Sequence, residues 1–90
     1  MSIQIEIIIK NKLGLHLRAA ADFVKLASKY KSDIFVEKDG EQINGKSIMG
    51  IMALAASEGT KLIIKAQGEE AKEALDKLNE LINNKFGEKE

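Results

Sequence analysis

The only histidine of the chain, His16, stands in Asn11-Lys12-Leu13-Gly14-Leu15-His16-Leu17-Arg18, between the end of an apolar strand pattern and the start of a helical one. A neutral imidazole keeps a lone pair on one ring nitrogen, so a histidine in such a loop is a candidate nucleophile. Arg18, two residues on, offers a permanent charge and a planar fork of donors suited to phosphate or carboxylate. A helix beginning here adds unpaired backbone N–H groups and the positive end of its dipole, both of which attract anions. Nucleophile, cation and anion hole fall within a few residues, as phosphate chemistry requires. The plainer alternative is an idle surface side chain or a helix cap, and these residues alone leave both open.

A second segment bears on the same question. In Asn44-Gly45-Lys46-Ser47-Ile48-Met49-Gly50-Ile51-Met52 a hydroxyl residue, Ser47, stands where a helix N-cap is preferred. Ile48, Met49, Ile51 and Met52 then put apolar groups all round a very short helix, which cannot bury every side. Flexible, polarizable methionines suit a surface that accepts several partners. Ile51 and Leu54 fit a core, Met49 a docking surface, and Met52 a mixture of the two.

The elements that must position these residues are legible from periodicity. Ile3, Ile5, Ile7 and Ile9 recur at every second position, the pattern of a half-buried strand, with Ile8 making the opposite face less than wholly polar. From about Arg18 to Tyr30 the period becomes helical, with Ala20, Phe23, Val24 and Ala27 on one face. Ile34, Phe35 and Val36 predict a second strand, Asp39-Gly40 a tight hairpin, and Glu41 to Ile43 a short polar edge strand. A brief helix starts near Ser47. Leu62, Ile64 and Ala66 mark a fourth strand after Gly59, and Ala71, Ala74, Leu75, Leu78 and Ile82 a final helix from about Glu69 to Asn84. Glu69 and Glu70 are expected in its first turn, where acidic groups favour the dipole, and Lys85 near its end. The tail Gly87-Glu88-Lys89-Glu90 is expected to fray. The order is βαββαβα, an α/β domain over residues 1–90. Its core is expected from Ile3, Ile5, Ile7, Phe23, Val24, Leu62, Ile64, Leu75, Leu78 and Ile82.

Composition excludes much else. Ninety residues make one two-layer core without room for a deep enclosed active site. With 14 basic and 14 acidic residues the formal charge is zero, which gives no general affinity for nucleic acid or anionic membrane. Phe35 is the only aromatic expected to project from a strand, too little for RNA stacking. One histidine and no cysteine argue against a disulfide framework and a structural metal. No basic leader precedes a long apolar run, and no stretch approaches the ~20 apolar residues that span a bilayer. A cytoplasmic protein without membrane insertion is expected.

Taken together, the two segments resemble those of the HPr family, the histidine-containing phosphocarrier proteins of the bacterial phosphoenolpyruvate-dependent sugar phosphotransferase system. Asn11 with Gly14-Leu15-His16-Leu17-Arg18 matches the family's active-site loop, and Gly45-Lys46-Ser47-Ile48-Met49-Gly50-Ile51-Met52 its regulatory segment. Length and element order agree over nearly the whole chain. The resemblance implies an HPr-like open-faced β-sandwich, a four-stranded antiparallel sheet of order 1-4-2-3 covered on one face by three helices. It implies a phosphoryl carrier rather than an enzyme, without cofactor or metal. His16 would accept the phosphoryl group on Nδ1 from phosphorylated enzyme I and pass it to sugar-specific A-type permease components. Arg18 and the backbone N–H groups of Leu17 and Arg18 would hold the phosphoryl oxygens. Leu17, Ile48, Met49 and Met52 would form the docking surface of a monomer. Ser47 resembles the serine phosphorylated by HPr kinase/phosphorylase in bacteria that possess one. Ala19 departs from the family, which often has proline after the active-site arginine. Two other classes are a regulatory protein working through Ser47 with little transport role, and a non-catalytic α/β-sandwich binding module.

Overall fold

The computed structural model describes residues 2–89. Alternation of apolar and polar side chains folds four segments into strands, β1 (Ser2–Ile8), β2 (Asp33–Lys38), β3 (Glu41–Asn44) and β4 (Lys61–Gln67). They form one antiparallel sheet of order β1-β4-β2-β3. Its register puts Ile5 opposite Ile64, Ile7 opposite Leu62, Val36 opposite Ile64 and Ile34 opposite Ala66. With a side-chain period of two, this register turns one apolar face toward the helices. The other face is open and carries the Lys65–Glu37 ion pair at 2.9 Å, with Gln42 accepting from the same ammonium at 3.2 Å.

Helices α1 (Leu17–Ala27), α2 (Ile48–Ala53) and α3 (Ala71–Asn83) cover the apolar face. Besides Phe23, the buried residues of α1 are three alanines, Ala19, Ala20 and Ala27, which add little bulk between helix and sheet. Helix α3 buries Ala71, Ala74, Leu75, Leu78 and Ile82, the stripe its spacing predicts. The expected hairpin is present. Asp39 (φ 50°) and Gly40 (φ 84°) are both left-handed between the paired residues Lys38 and Glu41, the conformation of a type I′ turn.

Several expectations need correction. Ile3 and Ile5 are only partly buried because β1 is a sheet edge, and Val24 lies at the margin of the helical stripe. Helix α1 ends at Ala27 rather than Tyr30. Glu69 and Glu70 are not in the first turn of α3. Glu70 is its left-handed N-cap, φ 67°, and its carboxylate accepts from the Lys31 N–H at 2.8 Å. Ser32 Oγ donates to the Glu69 carbonyl at 2.7 Å, so these acids tie the α1–β2 turn to the start of α3.

The tail is the larger correction, because residues 87–89 do not fray. Lys85 (φ 57°) and Phe86 (φ 56°) are left-handed, and the chain reverses after α3 in a 3-10 turn, Lys85–Gly87. Phe86 is buried in the core by this reversal. Burying such a ring stabilises by about 1.5–3 kcal/mol, which offsets left-handed backbone at residues with a Cβ. Glu90 lies outside the described residues.

Candidate functional site

The loop after β1 is built from its backbone outward. Ile9 is tied twice to the turn before β4, donating to the Thr60 carbonyl at 2.9 Å and accepting from the Gly59 N–H at 2.8 Å. Gly14 is left-handed, φ +67°, and a Cβ there would lie 2.4 Å from the Ala56 carbonyl oxygen. Only glycine fits that backbone and that approach. Leu15 then buries its side chain and donates to Ala56 O at 2.8 Å, which fixes the entry into α1.

His16 is the N-cap of α1, in extended backbone (φ −71°, ψ 178°). Its side chain makes no cap hydrogen bond, and its carbonyl accepts the first intrahelical bond from Ala20 at 2.8 Å. The N–H groups of Leu17, Arg18 and Ala19 precede that bond, so no helix carbonyl is available to them. The cap expected as the plain alternative is thus a backbone role, and the ring is left to other uses. The half-buried imidazole and exposed Arg18 line an open cavity of about 580 Å³ together with Lys12, Leu13, Gly87, Glu88 and Lys89. Three of those side chains are cationic, which favours an anion beside the ring.

Sequence reasoning missed one contact altogether. His16 Nε2 is paired with Glu88 Oε2, and Glu88 Oε1 accepts from Asn11 Nδ2 at 3.0 Å. Asn11, fully buried, also donates to the Gly14 carbonyl at 2.8 Å. The apolar Phe86 beyond the last helix was the one signal that the tail packs, and it anchors the turn that delivers Glu88. Lys12, Leu13 and Lys89 were likewise not singled out, since residues of loops carry no periodicity.

Ser47 is the N-cap of α2, its Oγ accepting from the Gly50 N–H at 3.0 Å. Helices α1 and α2 pack together in opposite senses. Leu15 at the start of α1 is bonded to Ala56 beyond the end of α2, whereas Lys46 at the start of α2 donates to the Tyr30 carbonyl beyond the end of α1, at 2.8 Å. The sequence reading grouped Leu17, Ile48 and Met49 around His16, and the structure shows Lys46, just before Ser47, bonded beyond the opposite end of α1. Leu17, Ile48, Met49 and Met52 are exposed, and Leu13 joins them as an exposed apolar residue of the His16 loop. Among the described residues no group of three or more acidic, histidine or cysteine side chains gathers to hold a metal.

The fold is a small antiparallel sandwich with its single histidine at a helix start, in an opening lined by Lys12, Arg18 and Lys89. Residues 3–84 match the family model described as the PTS HPr component phosphorylation site. The chain belongs to the HPr family, phosphocarrier proteins of the phosphotransferase system rather than enzymes. It is 52% identical to the phosphocarrier protein HPr of Pseudomonas aeruginosa, over 96% of this chain and 97% of that one. It is 50% identical to the HPr-like protein Crh of Bacillus subtilis, covering 84% and 89%. The crystal structure of HPr-C-His from Thermoanaerobacter tengcongensis superposes with a TM-score of 0.94 at 50% identity, covering 98% of this chain and 99% of that one. A structure of an HPr dimer from the same organism is 54% identical, with a TM-score of 0.78 over 91% and 94% of the two chains. Family membership therefore does not carry the monomeric state expected from the sequence.

Proposed function

We propose that His16 takes a phosphoryl group on Nδ1 from phosphorylated enzyme I and hands it to sugar-specific A-type permease components. The observation that carries this reading is the position of His16: N-cap of α1, ring turned away from capping, in an opening lined by Lys12, Arg18 and Lys89. Phosphoryl transfer passes through a loose transition state, so the surrounding groups mainly position the phosphoryl and stabilise its charge. Arg18 and the N–H groups of Leu17 and Arg18 supply that stabilisation from one side. A shallow site suits a carrier, which must release its cargo, and the donor and acceptor proteins complete it.

Leu17, Ile48, Met49 and Met52 form the docking surface, with Leu13 at its His16 end. Contacts of this kind are weak enough to exchange quickly between donor and acceptor. Phosphorylation of Ser47 by an HPr kinase/phosphorylase acts on that surface rather than on the imidazole, since the neighbouring Lys46 is bonded beyond the end of α1 opposite His16. The carrier works as a monomer, which sedimentation of the phosphorylated and unphosphorylated protein tests.

A second reading is a regulator working mainly through Ser47. Similarity to Crh, the catabolite repression HPr of Bacillus subtilis, favours it. The chain retains His16 and Arg18 together, which favours the carrier. Incubation with enzyme I and labelled phosphoenolpyruvate, followed by mapping of the label, decides between them.

A further inference from the structure

A histidine that attacks through Nδ1 needs its lone pair on that nitrogen, and therefore its proton on Nε2. We infer that Glu88 is a positioning residue for His16: its carboxylate, oriented by Asn11, holds the imidazole in the Nε2–H form and aims Nδ1 at the incoming phosphoryl group. The inference rests on His16 as the phosphoryl acceptor.

An ionised carboxylate only accepts hydrogen bonds, so the ring nitrogen facing Glu88 Oε2 is the one that carries the proton. Glu88 is itself held at two points. Its side chain is 9% exposed against 29% for His16, so the carboxylate end of the pair is largely out of water and less screened than a surface charge. Its other oxygen accepts from Asn11 Nδ2, and the orientation of that amide is fixed by the second bond from Nδ2 to the Gly14 carbonyl. Turning the amide over would bring its oxygen against both a carbonyl and a carboxylate. Asn11 Oδ1 instead remains buried without a partner, the arrangement expected where two acceptors demand the same donor group.

The transfer step balances in this geometry. The Nδ1 lone pair forms the new N–P bond, the donor's bond to phosphorus breaks, and its electron pair stays on the donor's leaving atom. No proton has to move, because Nε2 keeps its own. The ring of the product then carries a positive charge, and the Glu88 carboxylate lies directly against it. On transfer to the acceptor the same electron flow reverses at His16, and the Nε2–H form is restored.

Glu88→Gln is a discriminating test because it is isosteric and the Asn11 donor cannot adapt. The Gln carbonyl oxygen must face Asn11, which leaves its NH2 group facing His16 Nε2 and demands the lone pair there. Nitrogen-15 chemical shifts of the neutral ring, read in the unphosphorylated protein, are expected to report the Nε2–H form in the wild type and a shift toward Nδ1–H in Glu88→Gln. The turnover of transfer from enzyme I is expected to fall at least about tenfold, with KM little changed, as when a histidine is held in the wrong tautomer. Glu88→Ala, which removes the demand, is expected to fall between the two. Unfolding midpoints of both variants verify that the fold is intact. The same ring form in wild type and Glu88→Gln, or an equal fall in both variants arising from KM alone, would overturn the inference. A change of tautomer in a protein whose His16 is never labelled would support the positioning role and overturn the carrier reading instead.

Discussion

Leu15 donates its backbone N–H to the Ala56 carbonyl at 2.8 Å, and Gly14 lies so close to that same oxygen that a Cβ would stand 2.4 Å from it. The loop that presents His16 is thus clamped to the segment following α2. Gly14→Ala would force a side chain against backbone at φ +67°. The left-handed backbone alone costs about 1–2 kcal/mol, and the clash adds to it. Urea unfolding is expected to show a lowered midpoint, and transfer to His16 is expected to slow because the clamp has moved.

Ser47 caps α2 through Oγ. Ser47→Ala is expected to cost about 0.5–2 kcal/mol, the usual loss of a cap. Ser47→Asp keeps an acceptor at the helix start and adds charge, so it is expected to retain thermal stability while slowing transfer at least several-fold. A phosphate there carries about −1.5 to −2 charges at pH 7 and is expected to act more strongly in the same direction. Rapid-quench kinetics with enzyme I measure both forms, and unchanged rates would reduce Ser47 to a cap.

Met49 is 83% exposed and Met52 40%. Truncating a buried methionine costs about 2–5 kcal/mol, whereas an exposed one usually changes stability by less than about 0.5 kcal/mol. Met49→Ala is expected to leave the unfolding midpoint in place and weaken binding to enzyme I. Met52→Ala is expected to show some of each effect. A large fall in midpoint for Met49→Ala with normal binding would contradict its place on the docking surface.

Ala19 lies in the first turn of α1 and is fully buried. Its N–H precedes the first intrahelical bond, so proline removes no helix hydrogen bond there. Ala19→Pro is expected to raise stability by about 0.4–1 kcal/mol through the unfolded chain, with transfer nearly unchanged. Faster hydrolysis of phospho-His16 in that variant would show instead that the Ala19 N–H holds a phosphoryl oxygen.

Legibility in the sequence followed the range of the interactions. The strands, the Asp39-Gly40 turn and the Ser47 cap rest on local spacing, and each was readable. His16 and Arg18 were readable as candidates because nucleophile, cation and helix start are neighbours in the chain. The Asn11–Glu88–His16 chain joins residues more than seventy positions apart, and no period or motif encodes it. Its local prerequisite was Phe86, an apolar residue after the last helix, which the rule that termini fray obscured. The first turn of α3 was misread because Glu70 is drawn away by the Lys31 N–H, a tertiary bond that outweighs the dipole preference. The opposed run of α1 and α2, which brings Lys46 to the Tyr30 end of α1, is set by packing and is equally silent in the sequence.

The most direct measurement is labelling by enzyme I and radioactive phosphoenolpyruvate of the wild-type chain and of His16→Ala. The expected result is an acid-labile, base-stable label mapped to His16 in the wild type, and no label in His16→Ala with its unfolding midpoint retained, since the ring is a surface group rather than part of the core. An acid-stable label, or full labelling of His16→Ala, would contradict the carrier assignment.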